Sequence, residues 1–354
     1  MRYLFNRIAP LFLVCLFLSG SLVQAEPLKY QIREFDLESG SFEFGLENTY
    51  SESRANYNGN GEIINLPAAQ RLQHNRSRLT VKSQILDQIS LLGGVSGGYT
   101  SSVGTDNFGV RNDFERTRFG VSDVELGSIF QITRDFIDLD ASLIATIPLT
   151  SVNYNQTDPL IHDGAFELEG GLSLRQPLGW LTLLGYVGIN YRSQGLSTQL
   201  PWNFDFRAHV KKFYIQMGLS GETTLVEDNE AKNQTPRLVF LQRVNGGSQY
   251  FNAFSPTIVN LQAQVGAQFD DSAEVYLGLA QAIYGLRSAV SWQITGGLVF
   301  NFGGTVQSRS KWDTDSLDDA DDSFGDSEKG QFRPDSEVRE RQIQSVIPQK
   351  KKRP

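Results

Sequence analysis

Residues 289–302, AVSWQITGGLVFNF, alternate apolar and polar almost without error and end on a phenylalanine. One register runs Val290, Trp292, Ile294, Gly296, Leu298, Phe300 and Phe302; the other runs Ser291, Gln293, Thr295, Gly297, Val299 and Asn301. Only a strand, with its period of two, sends these sets to opposite faces. An apolar face with aromatic ends, backed by a polar face, is what a lipid-facing barrel strand needs. The stretch also resembles the closing strand of bacterial outer-membrane barrels, so Trp292, Phe300 and Phe302 mark a barrel-closing strand. That resemblance implies the barrel assembly machinery as a partner.

The amino terminus sets the expected compartment. Arg2 and Arg7 flank a short basic region, residues 8–18 (IAPLFLVCLFL) are apolar, and residues 19–25 (SGSLVQA) are mostly small. This pattern predicts a secretory signal peptide over 1–25. It contains Cys15, the one cysteine of the chain, so the mature protein is expected to lack disulfides and thiol chemistry. No later stretch offers the roughly 18 apolar residues of a helical span. In lipid the remaining solution is a closed barrel, since every backbone polar group must be paired.

Segments of alternating character recur along residues 41–302, at 41–51, 74–85, 89–100, 119–132, 137–149, 165–175, 180–192, 204–211, 213–225, 257–269, 273–284 and 289–302. The fold class expected is all-β: an antiparallel transmembrane β-barrel of about twelve strands, even in number. Connections after even-numbered strands are short. Most of those after odd-numbered strands are long and polar: 52–73, 101–118, 150–164, 193–203 and 226–256. Short periplasmic turns and long external loops are the barrel rule, and they put both termini in the periplasm. Residues 237–243 (RLVFLQR) look like a further strand. Counting them would reverse every later strand, so they are assigned to an external loop, as an extended hairpin or a lid over the mouth. A soluble sandwich also alternates, but its strands are usually shorter.

The ends flank this barrel. Residues 26–40 form a periplasmic lead. Residues 303–354 form a polar tail in which Asp313 to Glu328 carry eight acidic residues and no basic one, and the chain closes on Lys350, Lys351, Lys352 and Arg353. Such charge blocks do not bury a core, and a disordered periplasmic tail is expected.

Inward registers carry what chemistry there is. The lumen-lining candidates are Glu43, Glu47, Arg76, Arg78, Lys82, Asp138, Asp140, Glu167, Glu169, Arg175, Asp205, Arg207, His209 and Lys211. Acids of the first strand face bases of the second, which predicts cross-strand pairing, and a charge-separated constriction orients polar solutes. The three histidines, His74, His162 and His209, have no nucleophile or ligand partners at a useful spacing; Ser77 falls on the strand face opposite to His74. No enzyme, no metal and no cofactor are expected. A net charge of −8 argues against nucleic acid as a partner.

Within residues 119–132 the pattern Gly120, Asp123, Leu126 and Gly127 is similar to one in a family of outer-membrane transporters named after the MetA pathway of phenol degradation. The alternating strands of 41–302 look like that family too. The tail beyond Phe302 departs from its usual ending, in which the aromatic is the last residue. The resemblance implies passage of small, often hydrophobic or aromatic compounds. The expected function is therefore an outer-membrane channel for passive passage of small molecules, a monomer surrounded by outer-membrane lipid with a small-molecule solute as its partner. The alternative is a non-transporting barrel serving envelope interaction or structure.

Overall fold

The computed structural model describes residues 35–67, 70–107, 110–134, 137–230, 233–269 and 272–307. The expected signal peptide and the tail beyond residue 307 lie outside them. The strands are β1 (Phe35–Leu37), β2 (Phe42–Tyr57), β3 (Ile63–Asn65), β4 (Arg71–Leu86), β5 (Ile89–Asn107), β6 (Val110–Thr133), β7 (Asp138–Pro148), β8 (Glu167–Leu178), β9 (Leu181–Arg192), β10 (Thr198–Val210), β11 (Phe213–Val226), β12 (Thr257–Phe269), β13 (Ala273–Leu286), β14 (Ala289–Phe302) and β15 (Thr305–Gln307). One helix, α1 (Thr235–Asn245), lies between β11 and β12. No helix of the described residues is long and apolar enough to cross a membrane.

Each strand from β4 to β14 pairs antiparallel with its sequence neighbour, and β14 pairs back with β2, so twelve strands close a barrel. β3 is a short addition to β2, and β1 pairs with β15 outside the barrel. The seam runs from Phe42↔Phe302 to Asn56↔Ala289. The Phe42 and Phe302 rings stack there at 4.9 Å, and Tyr50 meets Trp292 at 5.2 Å. Closure leaves no open edge, so the backbone groups of the barrel wall pair around the whole circumference.

The distribution of side chains is the reverse of a soluble protein's. Leu46, Val95, Phe119, Leu143, Ile189, Phe206, Ile215, Val265, Leu277 and Phe300 are exposed on successive strands around the exterior. Glu47, Arg78, Asp123, Glu125, Glu169, Arg175, Asp205 and Arg207 are buried inside. Charged residues are almost never buried unless paired, and a continuous apolar exterior on every strand suits lipid and not water. The sandwich alternative falls on this point.

Strand lengths differ from the sequence reading in an informative way. The segment expected as a loop at 101–118 is strand, because β5 and β6 continue as a paired ribbon to Asn107↔Val110. The 193–203 loop shrinks to 193–197. In these extensions the apolar alternation of the sequence ends while the hydrogen-bonded ladder continues. The segment at 237–243 is neither strand nor hairpin: it lies within α1. Pro236 sits in the first turn and Gly246, at φ 62, caps the end, a left-handed position where glycine is unstrained.

Past Phe302 the chain turns at Gly303 (φ 102) and forms β15, whose register with β1 runs Leu37↔Thr305 to Phe35↔Gln307. Glu38 N–H donates to the Gly304 carbonyl at 3.0 Å, and Gly304 N–H donates to Ser41 Oγ at 2.7 Å.

Candidate functional site

The lumen is built by alternation, and one irregularity decides its chemistry. In β6 the register against β5 slips between Val121 and Asp123, with Gly97 opposite Val121 and Ser96 opposite Asp123. This β-bulge changes which parity points inward. Asp123 and Glu125 both enter the lumen, and both are fully buried. Neither was among the sequence-derived candidates as a lumen charge, since an uninterrupted period of two does not locate a bulge.

Asp123 and Glu125 meet arginines from two strands away. Arg78 Nε donates to Glu125 Oε2 at 3.0 Å, and Arg78 Nη2 reaches the same oxygen. Arg76 Nη2 donates to Ser96 Oγ at 3.0 Å and lies 3.5 Å from both Asp123 and Glu125. These guanidinium groups, from β4, cross over β5 because its inward positions there are small: Gly94, Ser96 and Gly98. A Cβ on Gly94 would stand 3.2 Å from Glu125 Oε2.

The other candidates fall as follows. Glu43 and Glu47 stand opposite Lys82 and Arg78 in the β2–β4 register, as the cross-strand argument requires; Glu47 also accepts from Tyr276 at 2.7 Å. Asp138 and Arg175 are direct partners across β7 and β8 and pair at 2.7 Å. Asp140 pairs with Arg134 at 2.6 Å. Glu169 accepts from Tyr186, and Glu167 accepts from Asn190 Nδ2 at 3.1 Å. Asp205 accepts from Gln262 and Asn203. Arg207 donates to Gln216 and lies over the Tyr214 ring, 4.6 Å away, with His209 beside it. Lys211 is the exception. It stands in the β10–β11 turn at φ 58, exposed, and does not line the lumen.

Three tyrosines missed by the charge-based reading share one device. Tyr276 lies opposite Gly297 and Tyr214 opposite Gly266, each on a neighbouring strand, while Tyr186 covers Gly171. A Cβ on Gly297 would fall 2.1 Å from the Tyr276 ring, and one on Gly266 2.3 Å from Tyr214. Each phenol then donates to an acid: Glu47, Glu274 or Glu169. The ring fills the groove left by glycine, and the hydroxyl satisfies a buried carboxylate.

The outer mouth is narrowed by the 227–256 loop. Phe240, Leu241 and Val244 of α1 pack with Leu72 of the wall, Leu160 of the 149–166 loop and Phe251. Burial of such side chains stabilises by about 1.5–3 kcal/mol each. Polar bonds fasten the same loop to the wall: Ser102 Oγ to the Val244 carbonyl, Arg116 Nη1 to the Arg243 carbonyl at 3.1 Å, and Asn56 Nδ2 to the Gly247 carbonyl at 2.8 Å. Arg237 anchors the helix internally. Its guanidinium bonds Asp228 at 2.6 and 3.1 Å, Glu230 at 3.1 Å and Tyr154 Oη at 3.1 Å, and lies 4.5 Å over the Phe254 ring. Burial works to lower the Arg237 pKa, but the hydrogen bonds and charge of Asp228 outweigh it and hold the group above its ordinary value.

Beneath this lid lies a chamber that is partly open to solvent. Arg76, His74, Glu167 and Arg192 contribute to its wall, and the 149–166 and 227–256 loops contribute His162, Asp163, Tyr250 and Phe251. His74 Nδ1 is 2.8 Å from Thr100 Oγ1, and its ring meets Phe251 edge-on at 5.0 Å. His162 Nδ1 accepts from Gly164 N–H at 2.9 Å, with Nε2 3.9 Å from Asp123. No group of three or more metal-ligating side chains occurs among the described residues.

The four residues of the pattern, in the middle of β6, take distinct roles, Gly120 lying where a Cβ would come 3.4 Å from Ile161. Asp123 is the buried acid beside Arg76 and His162, Leu126 faces outward, and Gly127 sits where a Cβ would come within 2.9 Å of the Leu143 carbonyl.

No protein-family profile matches the chain, and no curated protein does. Among solved structures, the fold is similar to the COG4313 outer membrane channel from Pseudomonas putida F1, with a TM-score of 0.58 and 13% identity over 79% of this chain and 100% of that one. The NanC porin aligns with a TM-score of 0.42 and 8% identity, over 73% of this chain and 98% of its own. The Ralstonia pickettii toluene transporter TbuX aligns with a TM-score of 0.39 and 11% identity, over 75% of this chain and 90% of its own. At these identities the likeness to the Pseudomonas barrel is one of fold.

Proposed function

We propose that this chain is a bacterial outer-membrane channel through which small molecules pass passively along the barrel lumen, with the α1 loop narrowing the outer mouth. The observation that carries the reading is the inverted barrel itself: an apolar exterior around a polar lumen that holds a solvent-open chamber. A barrel that only anchors loops has no need of such an interior. The paired charges of the wall form the constriction that a solute passes, and their internal neutralisation keeps buried charge tolerable.

The remaining assignments belong to the same reading. Residues 1–25 direct export, both ends face the periplasm, the barrel acts as a monomer inserted by the assembly machinery, and residues beyond 307 form a periplasmic tail. The fold shared with the Pseudomonas channel supports this, and no step of it calls for enzymatic chemistry. Planar-bilayer conductance and liposome swelling test the proposal. Stepwise conductance is expected, increased when residues 227–256 are shortened. Folded, inserted protein that conducts nothing even after that shortening would overturn it.

A further inference from the structure

The chamber's charged side chains are each engaged within the chain, and most of the atoms that make no hydrogen bond there are neutral. Asp163 pairs with Arg192 at 2.8 Å and accepts from the Asn252 backbone N–H. Arg76 is engaged by Ser96, Asp123 and Glu125, and Glu167 by Asn190. Among the lining residues, Arg76 Nε makes no hydrogen bond although its guanidinium is held through Nη2, and three neutral side-chain atoms make none: Thr146 Oγ1, Asn190 Oδ1 and Gln199 Nε2. Their residues are 1%, 5% and 2% exposed, so all are more than nine-tenths buried.

These three groups come from one stretch of the wall, β7 to β10, and are called the shelf below. Thr146 of β7 is the register partner of Glu167 in β8, and Gln199 of β10 is the partner of Asn190 in β9. The orientation of the Asn190 amide is fixed by its bond to Glu167, since a carboxylate accepts and the amide nitrogen must donate. Its oxygen is therefore the free atom. The shelf offers one acceptor, one amide donor and one hydroxyl that does both. Across the chamber the lid supplies Tyr250 and Phe251, packed edge-to-face at 4.6 Å.

We propose that this shelf is a binding site for a small, neutral, polyhydroxylated ring, a monosaccharide or cyclic polyol. The inference rests on the channel reading and names its solute class. A hydroxyl group both donates and accepts, so it matches a mixed set. An ammonium group only donates and a carboxylate only accepts, and each leaves part of the set unpaired at a cost. Anions are disfavoured further, because the lining carries Asp163, Glu167 and Glu222 against Arg76 and Arg192, 2 − 3 = −1. The Tyr250 and Phe251 rings offer the C–H face of a sugar an apolar surface.

The test uses three hexoses of nearly one size and different charge: glucose, glucosamine and glucuronate. Equilibrium binding to the detergent-solubilised full chain and flux through the protein in bilayers are measured together. Saturable glucose binding is expected, at least tenfold tighter than glucuronate and tighter than glucosamine. Thr146→Val with Gln199→Met should weaken glucose binding at least tenfold, and Thr146→Ser, which keeps a hydroxyl, should retain it. Heat-modifiable gel migration reports that each variant is folded. Tighter binding of glucosamine, no saturable glucose binding by the folded wild type, or full binding by the double variant would each overturn the site. Conductance with only unsaturable sugar flux removes the site and leaves the channel. Saturable binding without conductance keeps the site and removes the channel.

Discussion

Arg237 ties α1 to its own loop and to Tyr154 through a buried guanidinium, and Arg237→Met isolates its contribution. The side chain is 2% exposed and its Asp228 partner 0%. Methionine keeps much of the aliphatic stem but leaves the Asp228 carboxylate with the Glu230 N–H, at 2.8 Å, as its remaining hydrogen bond in the set around Arg237. Removing one partner of a buried ion pair costs about 3–5 kcal/mol, mostly from the stranded charge. The 227–256 loop is joined to a barrel closed by its own ladder, so the cost falls on a local opening and not on the barrel. At about 1.4 kcal/mol per tenfold, the closed-to-open ratio of the lid should drop by about 10² to 10³·⁵. Amide hydrogen exchange over residues 235–245 should accelerate correspondingly, and bilayer conductance should rise. Asp228→Asn added to Arg237→Met removes the stranded charge and should recover most of the protection. Unaltered exchange in the helix of the single variant would refute the reasoning. So would faster exchange spread through the barrel strands, which would mean that the anchor supports the wall and not the lid.

Gly297→Ala forces a Cβ to within 2.1 Å of the Tyr276 ring and should destabilise the barrel by about 1–3 kcal/mol in urea unfolding, whereas Gly93→Ala, with nothing within 4 Å, should change stability by less than about 0.5 kcal/mol. Arg78→Met leaves the fully buried Glu125 with Arg76, 3.5 Å away, as its cation and should cost up to about 3 kcal/mol; Arg78→Met with Glu125→Gln should be milder, and equal unfolding midpoints for the two would contradict the pairing. Gly246→Ala meets the Val103 carbonyl at 2.3 Å from a left-handed φ of 62, so it should loosen the lid as Arg237→Met does, read by exchange over the same helix. Ending the chain after Gly304 removes β15 and should leave barrel unfolding unchanged while exposing residues 35–37 to proteolysis.

The barrel was legible wherever lipid imposes its period on the sequence. The 257–269 and 289–302 strands match β12 and β14 residue for residue, because an apolar exterior and a polar interior fix both parity and extent. Legibility ended where the alternation stopped or the period slipped. β5 and β6 go on pairing through a stretch whose sequence lacks the apolar alternation, so 101–118 reads as loop. The bulge at Ser122 moved Asp123 and Glu125 onto the lumen without a local sequence signal, although two acids in a barrel strand facing Arg76 and Arg78 are a hint that such a slip exists. The helix over 235–245 looked like a strand because RLVFLQR is rich in strand-forming residues; Pro236 ahead of it and the Gly246–Gly247 pair behind it were the helical punctuation that outweighed them. With Asp123 and Glu125 set aside, the inward candidates other than Lys211 followed from parity alone. Their partners did not, since a bond across an intervening strand depends on the small side chains of that strand.

The pairing of β1 with β15 bears on how mechanical load reaches the barrel. In their antiparallel register Phe35 lies opposite Gln307, so the chain leaves this short ribbon in both directions at the same end. A pull on either extension meets the ribbon at that end and opens it one bond at a time, the geometry of a zipper and not of a sheared lap joint. Tension therefore relaxes in a three-pair element before it arrives at Phe42 and Phe302, where the wall is closed. Force on either extension is therefore expected to open the ribbon before it loads the seam.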